Sequence, residues 1–193
     1  MVRIPAEALV RPGTEADLAA LTDIYNHYVR ETAFTFDTAA FTSEERLPWL
    51  RSHPEDGPHR LLVAQDPRTG DNTRRLLGYA TSSPYRPKAA YGTSVEVSVY
   101  CAPGATGRGT GSLLYGALFD ALGGEDVHRA YAAIAQPNEA SARLHGAFGF
   151  RHIGTYTEVG RKFGRYWDVS WYEKPLLSRT APSASPDPSR TRR

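Results

Sequence analysis

The sequence predicts a mixed α/β fold in which helices flank a mostly antiparallel sheet within a single domain. Segments with the alternating pattern of strands and segments with the roughly 3.6-residue period of helices follow one another along the chain. The length of 193 residues suits one domain, and 40% of the residues are hydrophobic, enough to form a core. Residues 178–193 read SRTAPSASPDPSRTRR, without a large apolar side chain, so a disordered tail is expected after a domain of residues 1–177.

The first half of the domain is predicted to contain two helices and three antiparallel strands after an initial short strand. Thr14 and Asp17 have the spacing of a capping box, and apolar residues recur at helical spacing after them. A second helix is expected to begin at Ser43 and to be short or kinked because of Pro48. The predicted strands are residues 9–11, 60–65, 76–82 and 95–101.

In the second half of the domain, predicted helices alternate with further predicted strands of the sheet. Leu114, Leu118 and Leu122 mark one face of a helix that follows a glycine-dense loop. Residues 138–148 are predicted to form another helix, which Gly149 ends. The remaining strands are expected at residues 130–135, 153–159 and 166–174.

Composition and charge exclude several functional classes. The net charge is +2, and four Arg and one Asp of the C-terminal tail account for it, so the domain lacks the concentrated basic face of a nucleic-acid-binding protein. One cysteine, Cys101, permits neither an internal disulfide nor a Cys-based metal site, and no metal is expected. No segment resembles a signal peptide or a membrane span. We therefore expect a cytoplasmic protein without nucleic-acid or membrane partners.

The strongest local signal is the loop GATGRGTGS at residues 104–112, which lies between a strand and an amphipathic helix. Its glycines allow backbone N–H groups to approach an anion at the helix N-terminus, and Arg108 can add a contact to a phosphate. A bland glycine-rich turn is the alternative. Gly109 is followed by Thr110 and Gly111 where a P-loop needs Lys and Ser or Thr, and Ser112 stands where a dinucleotide fingerprint needs its third glycine.

The strand before this loop carries a carboxylate. Strict alternation puts Val95, Val97 and Val99 on one face and Glu96 on the other, with Ser98 and Tyr100. Glu96 either belongs to a solvated face or, beside a ligand loop, acts as a general base.

Together these features resemble the GNAT superfamily of acetyl-CoA-dependent N-acetyltransferases, which implies the GNAT fold. Within it, the chain is similar to the phosphinothricin N-acetyltransferase-like branch. Six segments carry the resemblance in the expected order: IYNHYV (24–29), FTF (34–36), GYA (78–80), PYRPKAAY (84–91), VEVSVY (95–100) and RLH (143–145).

The resemblance implies acetyl-CoA as the co-substrate, held by the glycine-rich loop, by the end of the central strand and by the late helix. Thr106 stands where the superfamily usually has Gln or Arg, so we expect Thr106 or Arg108 to supply the side-chain contacts to the pyrophosphate. Backbone N–H groups near the end of the strand would stabilise an oxyanion. The implied cofactor-binding residues are Val99, Tyr100, Cys101, Thr106, Gly107, Arg108, Gly109, Thr110, Gly111, Ser112 and Asn138.

The resemblance also suggests a proton donor. Many superfamily members carry Tyr seven residues after the Asn of the late helix, and here that residue is His145. Seven residues fall about 20° short of two helical turns, so Asn138 and His145 share a face. Imidazole can donate a proton near neutral pH. A packing role, satisfied by hydrogen bonds, is the alternative for His145. Cys101, which invites a ping-pong mechanism, is typical of packing at a strand end.

The implied substrate is a small L-amino acid analogue such as phosphinothricin, methionine sulfone or methionine sulfoximine. Phe34 and Phe36 offer apolar walls, and Arg86 and Lys88 offer cations for a carboxylate, unless this loop is merely solvated. Acetylation of a protein N-terminus or a polyamine is a second hypothesis, and a non-catalytic acyl-CoA-binding module is a third. The superfamily suggests a homodimer.

Overall fold

Within residues 8–67 and 75–176, which the computed structural model describes, seven strands form one sheet. The strands are β1 (Leu9–Pro12), β2 (Leu61–Gln65), β3 (Leu76–Pro84), β4 (Ser94–Cys101), β5 (Arg129–Ala135), β6 (Arg151–Lys162) and β7 (Arg165–Pro175). Their order across the sheet is β1-β2-β3-β4-β5-β7-β6. Only β4 and β5 are parallel neighbours, which confirms the predicted mixed and mostly antiparallel sheet.

Four helices accompany the sheet in the described part of the chain: α1 (Leu18–Glu31), α2 (Ser43–Arg51), α3 (Thr110–Leu122) and α4 (Glu139–Ala147). Every predicted helix is present. α2 is short and contains Pro48, as expected, and a complete capping box joins Thr42 and Glu45 at its start. Gly149 has a φ of 81° just after α4, the left-handed conformation that commonly ends a helix.

Asp17 secures the entry into α1. Its fully buried carboxylate accepts the backbone N–H of Thr14 at 2.9 Å and the guanidinium of Arg11 at 2.7 Å. Burial alone raises the pKa of Asp17, but the hydrogen bonds from Arg11 and Thr14 outweigh it, and the pKa is lowered overall. The residue predicted to cap the helix thus also forms a buried ion pair, which connects β1 to α1.

Two apolar cores lie on the two faces of the sheet. Val95 and Val97 of β4 pack with Leu114 and Leu118 of α3 on one face. A second cluster, which includes Leu21 of α1, lies on the face that α1 and α2 cover. Because side chains alternate along a strand, Glu96, Ser98 and Tyr100 point to the α1 and α2 face. The tail proposed for residues 178–193 lies outside the described residues.

Candidate active site

A cleft opens where β4 and β5 separate. Residues 94–96 pair with 129–131, and beyond this point the two strands lose their register. The gap forms part of a cavity of about 480 Å³, lined by the second half of β4, the end of β5, the glycine-rich loop and α4. A parallel pair that parts in the middle of a sheet leaves backbone groups without a strand partner, so this cleft can bind a ligand through main-chain hydrogen bonds.

The end of β4 supplies those main-chain groups. Ala102 N–H donates to Leu77 O of β3 at 2.8 Å. Because N–H groups alternate between the two edges of a strand, the N–H groups of Val99 and Cys101 face the opposite edge, where β5 has moved away. Val99, Tyr100 and Cys101 all line the cleft, and their binding of a cofactor stays a prediction.

The glycine-rich loop wraps the N-terminus of α3. Gly104, Gly107 and Gly109 have φ of 80°, 70° and 84°, conformations that glycine adopts without strain. Five of the predicted loop residues line the cleft: Thr106, Gly107, Gly109, Gly111 and Ser112. The loop therefore offers closely spaced amides and a helix N-terminus, which fits a diphosphate group.

Two predicted loop residues are placed differently. Thr110 is almost fully buried, and its hydroxyl donates to Ala105 O at 3.3 Å, which braces the loop from inside. Arg108 is exposed at the loop surface. Thr106, which stands where the superfamily usually has Gln or Arg, lines the cleft, whereas Arg108 does not.

Glu96 occupies the fork between β4 and β5. It pairs in register with Ser83 of β3 and with Tyr131 of β5, and the residues that line the cleft begin at Val97. The carboxylate is half-buried. Burial raises its pKa, and the positive charge of Arg86 opposes this rise. A half-buried carboxylate with a raised pKa, next in sequence to the residues that line the cleft, is a candidate general base.

His145 and Asn138 both line the cleft, although Asn138 is the N-cap of α4 and lies just outside the helix. Asn138 caps α4 by accepting Ser141 N–H at 3.1 Å. His145 is 3% exposed, with Nδ1 at 2.8 Å from Ser141 O. A carbonyl oxygen only accepts, so Nδ1 carries the hydrogen and Nε2 receives one from the Tyr115 hydroxyl at 2.8 Å.

This hydrogen bonding keeps the imidazole of His145 neutral. Burial lowers its pKa, and the hydrogen bond to Ser141 O only partly offsets this effect. Neither ring nitrogen has a free N–H for a ligand in the cleft. The proton-donor role of His145 stays a prediction, and the structure adds Tyr115 as its partner. Tyr115 lies next to Leu114 on α3 and belongs to the same buried cluster, and a Tyr at such a position is a signal for a buried hydrogen bond.

The four predicted substrate residues lie in different surroundings. Phe34 lines the cleft. Arg86 donates to Tyr85 O at 2.9 Å, lies 4.4 Å from the Tyr85 ring centre, and acts electrostatically on Glu96. Lys88 is exposed at the start of a short 3₁₀ turn. Phe36 packs over Gly160 of β6, where a side chain would collide with its ring.

Two further residues define the cleft chemically. Tyr28 of α1 donates its hydroxyl to Cys101 O at 2.7 Å and so fixes the end of β4. Burial raises the pKa of the Cys101 thiol to about 11, so the thiol is protonated near neutral pH and is a poor nucleophile. Among the described residues no group of three His, Cys, Asp or Glu could hold a metal ion. No helix in the same set is long and apolar enough to cross a membrane.

Comparison with known proteins identifies the family. The Acetyltransferase (GNAT) domain matches residues 10–171. The chain is 72% identical over 171 residues to a phosphinothricin N-acetyltransferase of Streptomyces coelicolor, covering 89% of this chain and 98% of that protein. It is 32% identical over 175 residues to an L-methionine sulfoximine/L-methionine sulfone acetyltransferase of Salmonella typhimurium, covering 91% and 98%.

A solved structure agrees. The Salmonella typhimurium acetyltransferase yncA with its cofactor acetyl-CoA has a TM-score of 0.82 and 32% sequence identity, with 93% of this chain and 100% of that chain covered. The chain belongs to the GNAT family of acetyltransferases.

Proposed function

We propose that this protein transfers the acetyl group of acetyl-CoA to the α-amino group of a small L-amino acid analogue of the phosphinothricin, methionine sulfone or methionine sulfoximine type. Glu96 acts as the general base in a direct transfer. The observation that carries this proposal is the half-buried Glu96, with its raised pKa, at the fork where the cleft begins. The activities for which the relatives are named support the substrate class.

The cleft residues fit acetyl-CoA. Amides of residues 107–112 and the N-terminus of α3 would hold the diphosphate, with Thr106 at the cleft wall. Acetyl-CoA supplies an activated acetyl group as a thioester. The N–H groups of Val99 and Cys101 would hold the carbonyl oxygen as negative charge develops on it. The protonated thiol of Cys101 agrees with a transfer that has no acyl-enzyme.

Glu96 prepares the amine. An amino group is mainly an ammonium near neutral pH and must lose a proton before it can attack. A free Glu, with a pKa of about 4.3, is a weak base, so burial at the fork strengthens it. The electrostatic effect of Arg86 on Glu96 supports Arg86 as the group that would bind the substrate carboxylate, and Phe34, which lines the cleft, would provide an apolar wall.

Tyr115 and His145 complete the proton path. We assign His145 as the acid that acts through Tyr115. When the imidazole takes up a second proton, Nε2–H donates to the Tyr115 oxygen and the Tyr115 hydroxyl is free to donate to the departing sulfur. The Nε2 proton then passes to the Tyr115 oxygen while the hydroxyl proton passes to the sulfur, which leaves the imidazole neutral again. The hydrogen bond of 2.8 Å between Nε2 and the hydroxyl supports this order. His145 is then recharged from solvent.

Release of free CoA with a panel of amines tests this function. The panel contains phosphinothricin, methionine sulfone, methionine sulfoximine, a polyamine and a peptide with a free N-terminus. We expect release with the amino acid analogues only. Release with the polyamine or the peptide alone would favour the second hypothesis, and binding of acetyl-CoA without any release would favour a non-catalytic module. The family resemblance also suggests a cytoplasmic homodimer. Light scattering tests whether the protein is a dimer.

A further inference from the structure

A second cavity lies beside the cleft, on the face of the sheet that α1 and α2 cover. It has a volume of about 250 Å³ and shares Ser98 and Tyr100 with the larger cleft. Ser98 follows Glu96 by two residues on the same face of β4, a distance of about 7 Å along a strand. A molecule whose amine lies at Glu96 can therefore extend its side chain into this cavity.

Arg46 of α2 lines the cavity and is 5% exposed. Its guanidinium carbon lies 4.2 Å from the ring centre of Tyr25 and 3.9 Å from that of Trp49. Its buried Nε–H has no hydrogen-bond partner, and no carboxylate in the described part of the chain lies within 4.0 Å of it. A buried cation without a counter-ion is costly, even between aromatic rings.

The two carboxylates at the same cavity are engaged elsewhere. Asp37 accepts the Tyr25 hydroxyl and interacts electrostatically with Lys162, whose Nζ donates to Thr35 O at 2.8 Å. Glu45 is exposed and accepts the backbone N–H of Thr42 at 2.8 Å. Neither forms an ion pair with Arg46, which interacts with the Tyr79 hydroxyl instead, so no described carboxylate neutralises its charge.

The structure assigns this cavity as the subsite for the side-chain end group of the substrate, with Arg46 recognising a tetrahedral oxyanion or strongly polarised oxygens such as those of a phosphinate or sulfone. This inference rests on the proposed function. The guanidinium and the hydroxyls of Thr81 and Ser98 supply donors to such oxygens, and the surrounding aromatic rings accept the methyl group that the end group also carries.

Kinetics with three substrates test the subsite in the variant Arg46→Met. This substitution removes the charged guanidinium and leaves an apolar side chain of similar length. The substrates are phosphinothricin, methionine sulfone and norleucine, which has no side-chain oxygen. We expect kcat/KM to fall about 10- to 100-fold for phosphinothricin, less for methionine sulfone, and little for norleucine. Arg46→Lys should restore part of the loss for phosphinothricin. Arg51→Met, an exposed position on the same helix, is the matched control. An equal loss on all three substrates, or none, would overturn the inference.

A binding measurement separates this inference from the proposed function. With free CoA present, which cannot react, phosphinothricin should raise the Tm of the wild type and not that of Arg46→Met, while norleucine should affect both equally. A wild type that releases no CoA from acetyl-CoA with any amine would refute the proposed function alone. A phosphinothricin-induced Tm shift that survives Arg46→Met would refute the subsite.

Discussion

The hydroxyl of Tyr115 lies 2.8 Å from Nε2 of His145, and this hydrogen bond joins α3 to α4 inside the wall of the cleft. Both residues are almost fully buried, at 0% and 3% exposure. A hydrogen bond of this kind both holds two helices together and connects two groups that can exchange a proton. We therefore expect variants of the two residues to lose stability, and to lose activity if this bond carries a proton.

If His145 acts through Tyr115, the two residues work as one unit. Tyr115→Phe and His145→Gln should each lower kcat by about a hundredfold, and the double variant should lose little more than either single variant. Tyr166→Phe, which removes an exposed hydroxyl, is the control. Steady-state kinetics of the four proteins form a double-mutant cycle. Multiplicative losses would show that the residues act independently.

If Glu96 is the general base, the charge of Arg86 should set the pH range in which it works. The base must be ionised, so activity is lost as the pH falls through the pKa of Glu96. Because the charge of Arg86 lowers that pKa, Arg86→Gln should move the acidic limb of the kcat/KM profile to higher pH. Lys88→Gln, in the same loop but exposed, should leave the limb in place. A limb that stays fixed in Arg86→Gln would show that Arg86 does not act on the base.

Alanine variants of two loop glycines can distinguish an effect on cofactor binding from an effect of backbone strain. Gly104 and Gly107 both have positive φ and open space where a Cβ atom would lie, but only Gly107 lines the cleft. Alanine at either position should strain the backbone by about 1–2 kcal/mol. Calorimetry should show weaker acetyl-CoA binding for Gly107→Ala alone. Equal affinities in both variants would remove the loop amides near Gly107 from the binding site.

The buried Asp17 links stability to pH. Its lowered pKa means that its contribution is fully present above the unfolded pKa of about 3.9 and is lost as the pH falls through the folded value. Asp17→Ala should reduce the free energy of unfolding near pH 7 by about 3 kcal/mol. Glu15→Ala breaks an exposed ion pair with Arg51 and should cost less than about 1 kcal/mol. Urea unfolding of both variants makes the comparison, and similar costs would contradict it.

Local patterns were sufficient to predict every strand and every α-helix in the described residues. Periodicity located α1 and α3, and alternation placed Glu96 on the face opposite Val95 and Val97. The glycine spacing of residues 104–111 indicated a loop of unusual backbone conformation, and three of its glycines have positive φ, which other residues avoid. Binding of an anion by this loop stays a prediction. These features depend on neighbours in the sequence and are therefore readable from it.

Contacts between distant segments were not predictable. The bond between Tyr115 and His145 depends on how α3 packs on α4, and the burial of Arg46 depends on Tyr25 of another helix. Phe36 illustrates the same limit, because its place is set by Gly160 on the edge strand β6. No periodicity or motif in the sequence encodes these contacts, which form only when the sheet and helices assemble.

The most direct test of the account is the turnover of Glu96→Gln, measured together with its affinity for acetyl-CoA. With phosphinothricin as the amine, we expect kcat to fall by about 100- to 10,000-fold while acetyl-CoA binds as tightly as to the wild type. Glu139→Gln, which removes an exposed carboxylate from α4, should behave like the wild type in both measurements. Near-wild-type turnover in Glu96→Gln would contradict its role as the general base.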